Sequence, residues 1–196
     1  MAEPKTSRED QLLEVATCLF KEKGYHNTSM QDIADGLGVQ KASLYHYIES
    51  KEQLLRRLLK RAAAILGAQI DEIYEAELPP AEKLRQALQN HAVTMMEHLN
   101  LVSVYLSEYR NLPPPQLEQI LATRKHYERV LIRILEDGIA SGDFRPVNVK
   151  MTMLGLLGMF NWTHQWFSPD GELTPQEIAS VLTDLAMRGL VADPIA

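Results

Sequence analysis

The residues most able to do chemistry lie together in Gln40-Lys-Ala-Ser-Leu-Tyr-His-Tyr47. Lys41 suits a guanine edge or a phosphate, and Gln40 suits adenine or a phosphate oxygen. Ser43 shares the segment, and the polar-tipped aromatics Tyr45, His46 and Tyr47 suit phosphates and thymine methyls. For Tyr45, Tyr47 and His46 a place in the core is the alternative. Upstream, Thr28 and Ser29 open a helix whose first amides suit a phosphate. Enzyme signatures are missing: there is no phosphate-binding glycine loop, no nucleophile elbow and no His-Glu-x-x-His. His91 and His98 stand seven apart on one helix face, a spacing that is more often structural than metal-binding. No catalytic residue, metal or cofactor is expected.

These side chains need a scaffold, and the apolar spacing is helical nearly throughout. Nine helices are predicted, at about 8–23, 29–37, 40–47, 50–77, 81–98, 101–111, 116–141, 149–167 and from 175 onward. Leu12, Ala16, Leu19 and Phe20 form the inner face of the first, and Gly24 ends it. Thr28 with Gln31, or alternatively Ser29 with Asp32, has the spacing of a capping box. Ser50 with Gln53 and Thr174 with Glu177 share that spacing, and Pro175 takes the first helical position. Pro79-Pro80 and Pro113-Pro114-Pro115 are breaks. Residues 168–171 make a turn, and 192–196 are expected to fray.

The two helices at 29–37 and 40–47 are joined by a turn containing Gly38. Ile33, Ala34 and Leu37 face inward, small Ala34 allows a close crossing, Val39 fills the corner and Leu44 anchors the second helix. That is a helix-turn-helix, in which the second helix enters the major groove.

The chain has 196 residues, 45% hydrophobic and 23% charged, enough for a core without covalent staples. Its single cysteine, Cys18, allows no internal disulfide, which fits a reducing cytoplasm, and is read as a small buried apolar residue. The polar N-terminus is unlike a signal peptide. The apolar run 151–160 is too short for the ~20 residues of a membrane span. A cytoplasmic protein without a membrane partner is expected. The net charge is −6, yet residues 1–60 hold nine basic and nine acidic side chains, so the acidic excess lies beyond the candidate DNA-reading head.

Residues 12–59 resemble the TetR family of transcriptional regulators. The resemblance rests on Phe20-Lys-Glu-Lys-Gly-Tyr25, on the helix at 28–37, and on Ser43-Leu-Tyr-His-Tyr47 followed by Ser50-Lys-Glu-Gln-Leu54. Ile48 stands at a packing position where many members carry phenylalanine. The resemblance implies an all-α homodimer. A three-helix DNA-binding head would occupy residues 1–50, and a ligand-binding and dimerisation body residues 51–196. It implies a repressor that binds a palindromic double-stranded operator and is released by a small apolar effector, although an activator would use the same head. Lys51 resembles the family's phosphate-contacting lysine.

The same resemblance points to the last two helices for the dimer interface. There Leu154, Gly155, Gly158, Val181, Leu182 and Leu185 are the candidates, with a place in the subunit core as the alternative. An adaptable apolar pocket is expected from Met95, Met96, Leu99, Tyr105, Tyr109, Met159, Trp162 and Trp166, a stripe that also fits a core. Arg110, Arg124, Arg129 and Arg133 are candidate partners for an anionic ligand group. Residues 166–175 look like those of TetR members that respond to acyl-coenzyme A thioesters.

Overall fold

The computed structural model describes residues 7–192; of the fraying expected at 192–196 only Ala192 lies within them, and its N–H donates to Asp143 O at 3.1 Å. In chain order the helices are α1 (Arg8–Lys23), α2 (Met30–Gly36), α3 (Lys41–Leu44), α4 (Lys51–Gly67), α5 (Ile70–Glu75), α6 (Pro80–Glu97), α7 (Leu99–Glu108), α8 (Pro114–Ser141), α9 (Val149–Asn161), α10 (Thr163–Trp166) and α11 (Pro175–Arg188), with a 3-10 turn at Tyr109–Asn111. Among the described residues there is no strand, only a single antiparallel bridge between Phe144 and Val191. The fold is all-α, as expected.

All nine expected helices are present, and two of them are broken. The run at 50–77 divides because Gly67 is a poor helix former and Gln69 turns into the left-handed region at φ 69°. Past that break, Ile70 and Ile73 are buried in the core. The run at 149–167 divides at Trp162. The 40–47 helix is shorter than expected: α3 ends at Leu44, and 45–47 continue as turns. Cys18 is exposed rather than buried, because the inner stripe of α1 runs through Leu12, Ala16 and Phe20 and leaves Cys18 off it.

The chain forms two compact units. One comprises residues 1–63 and 100–121, the other residues 64–99 and 122–196. In the first, α1 to α3 and the start of α4 enclose Leu12, Ala16, Phe20, Ile33, Ala34, Leu44, Ile48 and Leu54, all 1% exposed or less. Ile48 packs here as the sequence suggests.

In the second unit α6 is the central helix. Pro80 opens it, and Leu84, Leu88, Ala92 and Met96 recur at helical spacing on its buried side. Phe144, 2% exposed, is wedged against α8 at Gly138. A methyl group at 138 would collide with the Phe144 ring, so Gly138→Ala is expected to cost about 1–3 kcal/mol by overpacking. Urea unfolding measures this, and an unchanged midpoint would contradict it.

Candidate nucleic-acid interface

The head is built around two local devices. Ser29 and Asp32 form the capping box of α2, the alternative of the two sequence frames. Asp32 N–H donates to Ser29 Oγ at 3.1 Å, and Ser29 N–H donates to Asp32 Oδ2 at 2.8 Å. Lys23 adds an ion pair at 2.7 Å. The Lys23 ammonium, followed by the Ser29 hydroxyl and amide, holds the Asp32 carboxyl well below the usual carboxylate range. A depressed carboxyl stabilises the fold above the ordinary carboxylate range, and that contribution is lost as pH falls through the lowered value. Asp32→Asn is therefore expected to flatten the acid limb of the stability profile below about pH 4, as measured by thermal melts across pH.

The second device is the turn. Gly38 sits at φ 65°, and its N–H donates to Asp35 O at 3.0 Å. Val39 N–H then donates to Ala34 O at 3.0 Å, bending the chain into α3. Buried Leu44 and Ile48 fix the segment from inside. Gln40, Lys41, Tyr45, His46 and Tyr47 are left exposed, and Ser43 is half-buried. Tyr45 and Tyr47 are 48% and 47% exposed, so neither is a core aromatic.

Thr28, Ser29 and Lys51 are engaged within the head. Thr28 is 1% exposed, and its hydroxyl donates to Leu19 O at 3.2 Å and Gly24 O at 2.9 Å. Ser29 and its amide are held by Asp32. Lys51 reaches back to the loop after α1, where Nζ donates to Tyr25 O and Thr28 O, both at 2.7 Å. Nζ also lies 4.4 Å from the Tyr25 ring centroid, a cation–π contact. The same loop and the last turn of α1 are tied down by a cluster of hydrogen bonds that sequence reading missed. Tyr25 N–H donates to Glu108 Oε1 at 3.4 Å, His26 Nε2 meets Asn111 Oδ1 at 2.8 Å, and Lys21 Nζ donates to Asn100 Oδ1 at 2.7 Å. No local sequence signal marks these partners, which are 79 to 85 residues away.

The residues expected around a ligand are not gathered in one place. Met95 and Met96 are core residues, and Leu99 and Tyr109 are half-buried. Tyr105 is buried and belongs, with Tyr109, to the first unit. In the second unit Met159 is half-buried, Arg129 is exposed, and Trp162 and Trp166 are 61% and 49% exposed. Three of the arginines have partners: Arg124 with Glu128, Arg133 over the Tyr74 ring, and Arg110 with Tyr109. His91 and His98 do not meet a third ligand, and the described residues contain no group of three side chains arranged to hold a metal. A cavity of about 560 Å³ does lie in the second unit, but its walls include Ile65, Ile70, Asn90, His91, Thr94 and Tyr127 instead.

Of the interface candidates, Leu154, Val181 and Leu185 are 44%, 62% and 62% exposed, so they are not subunit core. Leu182 is half-buried. Gly155 and Gly158 are exposed, with open space where a side chain would stand. Among the described residues no helix is long and apolar enough to cross a membrane.

A helix pair locked by Ile33, Ala34 and Leu44 that offers an exposed row of polar and aromatic side chains defines a helix-turn-helix DNA-binding protein. Residues 12–58 match the bacterial regulatory proteins of the tetR family, and residues 77–190 match the tetracyclin repressor-like C-terminal domain. The protein belongs to the TetR family of helix-turn-helix transcriptional repressors, a non-enzymatic family.

It is similar to the HTH-type transcriptional repressor KstR2 of Mycobacterium tuberculosis, 28% identical over 191 residues, with 96% of each chain covered. The solved structure of that ketosteroid regulator superposes with a TM-score of 0.91 over 98% of this chain and 99% of the other. PfmR of Thermus thermophilus is 37% identical, with a TM-score of 0.84 over 92% of this chain and 98% of the other. AibR, solved in complex with isovaleryl coenzyme A and operator DNA, is 31% identical, with a TM-score of 0.80 over 91% of this chain and 97% of the other.

Proposed function

We propose that the protein is a cytoplasmic homodimeric repressor that binds a palindromic operator and leaves it when a small apolar effector, an acyl-coenzyme A thioester, binds. Residues 1–50 carry the DNA contacts, and residues 51–196 carry the effector site and the dimer contacts. The observation that carries this reading is the exposed segment 40–47 held on a buried Leu44. Gln40, Lys41, Ser43, Tyr45, His46 and Tyr47 make the base and phosphate contacts. Thr28, Ser29 and Lys51 support them by fixing the loop before α2.

The dimer reading is supported by the apolar surface of α9 and α11. Leu154, Val181 and Leu185 are too exposed and too apolar to be left to solvent, and Gly155 and Gly158 leave room for close approach. Val181→Arg with Leu185→Glu is expected to yield a monomer in analytical ultracentrifugation while leaving α11 folded. A dimer that survived both changes would move the interface elsewhere.

Two heads joined in this way must place their recognition segments about 34–36 Å apart, or a multiple of that, to read successive major grooves. An effector acts by binding more tightly to the arrangement that cannot reach this spacing. The thioester class is supported by residues 166–175 and by the ligand of AibR. The test is capture of genomic fragments by the purified protein, footprinting at stated salt, and titration with acyl-coenzyme A thioesters. A palindromic footprint released by a thioester is the expected result. Failure of any sequence to compete with bulk DNA would overturn the repressor reading, and release by none of the thioesters would overturn the effector class.

A further inference from the structure

The corner between α7 and α8 lies outside the residues that match the DNA-binding domain, yet it holds the loop that leads into α2. Glu108 is the last residue of α7, and Asn111 closes the 3-10 turn that follows. Both are half-buried, and both belong with α1 to α3 to the first unit. The corner is seated by its apolar neighbours: Val102 and Val104 are fully buried, and Tyr105 and Leu112 are 7% and 4% exposed.

The hydrogen bonds at this corner run in one direction. A carboxylate can only accept, so Asn111 Nδ2 donates to Glu108 Oε2 at 2.5 Å. That turns the Asn111 oxygen to His26, whose Nε2 donates to it at 2.8 Å. Glu108 Oε1 accepts the Tyr25 N–H at 3.4 Å and stands 3.9 Å from where a side chain on Gly24 would begin. Tyr25 is thus held at both ends of its backbone, by Glu108 at the N–H and by Lys51 at the carbonyl. Thr28, buried, and Ser29, the cap of α2, follow directly. The path of this loop sets where α2 starts, and the Val39 N–H on Ala34 O ties α2 to the recognition segment. A shift at Tyr25 is therefore passed on to residues 40–47.

The placement of Glu108 goes against local preference. A negative charge at a helix C-terminus opposes the helix dipole, and among the described residues Glu108 has no ion-pair partner to offset that. Its donors are the Tyr25 N–H of the loop and the Asn111 amide that reaches His26 in the same loop. A residue kept against local preference points to a task elsewhere in the fold. We propose that Glu108 and Asn111 are positioning residues for DNA recognition, which touch no DNA themselves but fix residues 24–28 and, through them, the pose of α2 and of segment 40–47. The proposal rests on the operator reading above. Binding groups must be held within about 0.5 Å and 10–20° of their productive geometry, so loss of the corner lowers affinity even while α2 and α3 stay folded.

Exchanging the two functional groups tests this in the full-length protein. The probe is a labelled duplex spanning the footprint, read by fluorescence anisotropy well below the melting temperature, with circular dichroism to show that each variant is folded. Asn111→Asp removes the donor to Glu108 and sets two carboxylates edge to edge. It is expected to weaken binding about tenfold or more. Adding Glu108→Gln rebuilds the chain with one bond reversed. The new amide at 108 donates to the new carboxylate at 111, which still accepts from His26, and an oxygen at 108 remains for the Tyr25 N–H. Affinity is expected to return to within about threefold of the wild type. A phosphate neighbour would not tolerate the added carboxylate, so this recovery also shows that position 111 does not touch DNA. Glu108→Ala is expected to lose about tenfold with the salt slope unchanged, because no phosphate contact goes with it; the paired variant serves if this one does not fold. Variants that melt earlier but bind the duplex as the wild type does would reduce the corner to a structural tie and overturn the proposal. A loss in Asn111→Asp that Glu108→Gln fails to recover would overturn it as well. A wild type that gives no footprint sinks the operator reading and this proposal together, whereas a footprint with unaffected variants sinks this proposal alone.

Discussion

Lys41→Ala combined with Tyr45→Ala is expected to lower operator affinity by two orders of magnitude or more while leaving the melting temperature unchanged. Both side chains are exposed on the segment anchored by Leu44, so their loss removes contacts without opening the core. A well-placed base contact is worth about 1–3 kcal/mol of discrimination, and two such losses at neighbouring positions compound. The single variants divide the roles. A residue that contacts phosphate weakens all sequences alike and lowers the salt slope by about one, whereas a base contact relaxes specificity at one position. Fluorescence anisotropy at two salt concentrations makes both readings. A double variant within threefold of the wild type would remove the recognition role from this segment.

The second large effect concerns Lys51. Its Nζ holds Tyr25 O and Thr28 O, both at 2.7 Å, and stands over the Tyr25 ring. Lys51→Met removes two charge-assisted hydrogen bonds and leaves part-buried carbonyls short of a donor, so a loss of about 2–4 kcal/mol is expected. DNA binding should weaken with it, because the loop that positions α2 loosens. A lysine whose main role was to touch phosphate would behave differently: the melting temperature would hold and the salt slope would fall by about one. Urea unfolding alongside salt-dependent binding separates these outcomes. An unchanged unfolding midpoint would return Lys51 to the phosphate role that the family resemblance suggests.

These three residues mark how far the sequence could be read. Lys41 and Tyr45 belong to a compact local pattern, and local patterns are legible: the capping residues Ser29 and Asp32, the turn at Gly38, the anchor at Leu44, the Thr174 to Glu177 box. Lys51 was visible as a residue but not as a fastener. Its carbonyl partners lie 23 and 26 positions earlier, and carbonyls carry no sequence identity.

Apolar spacing likewise gave the helices but not the direction each face takes. Met95 and Trp162 fit one pocket equally well on paper, yet one is fully buried and the other 61% exposed. The cavity escaped notice for a related reason. His91 in its wall is paired with Asn161, 70 positions away, and its other walls are ordinary apolar and neutral polar residues. The break at Gln69 has only Gly67 as a hint, since glutamine is a good helix former and nothing local announces its left-handed backbone.

The make-up of the first unit bears on how such a regulator is re-engineered. That unit draws on residues 1–63 and again on 100–121, and Lys21, Tyr25 and His26 find partners at Asn100, Glu108 and Asn111. A chimera that grafted only the first 63 residues onto a foreign body would strand the Lys21 and His26 side chains and the Tyr25 amide. The DNA-reading part is therefore not a cassette that can be cut at one point. Its specificity is portable at a finer grain, through exchange of the few exposed side chains between 40 and 47 on an otherwise untouched frame.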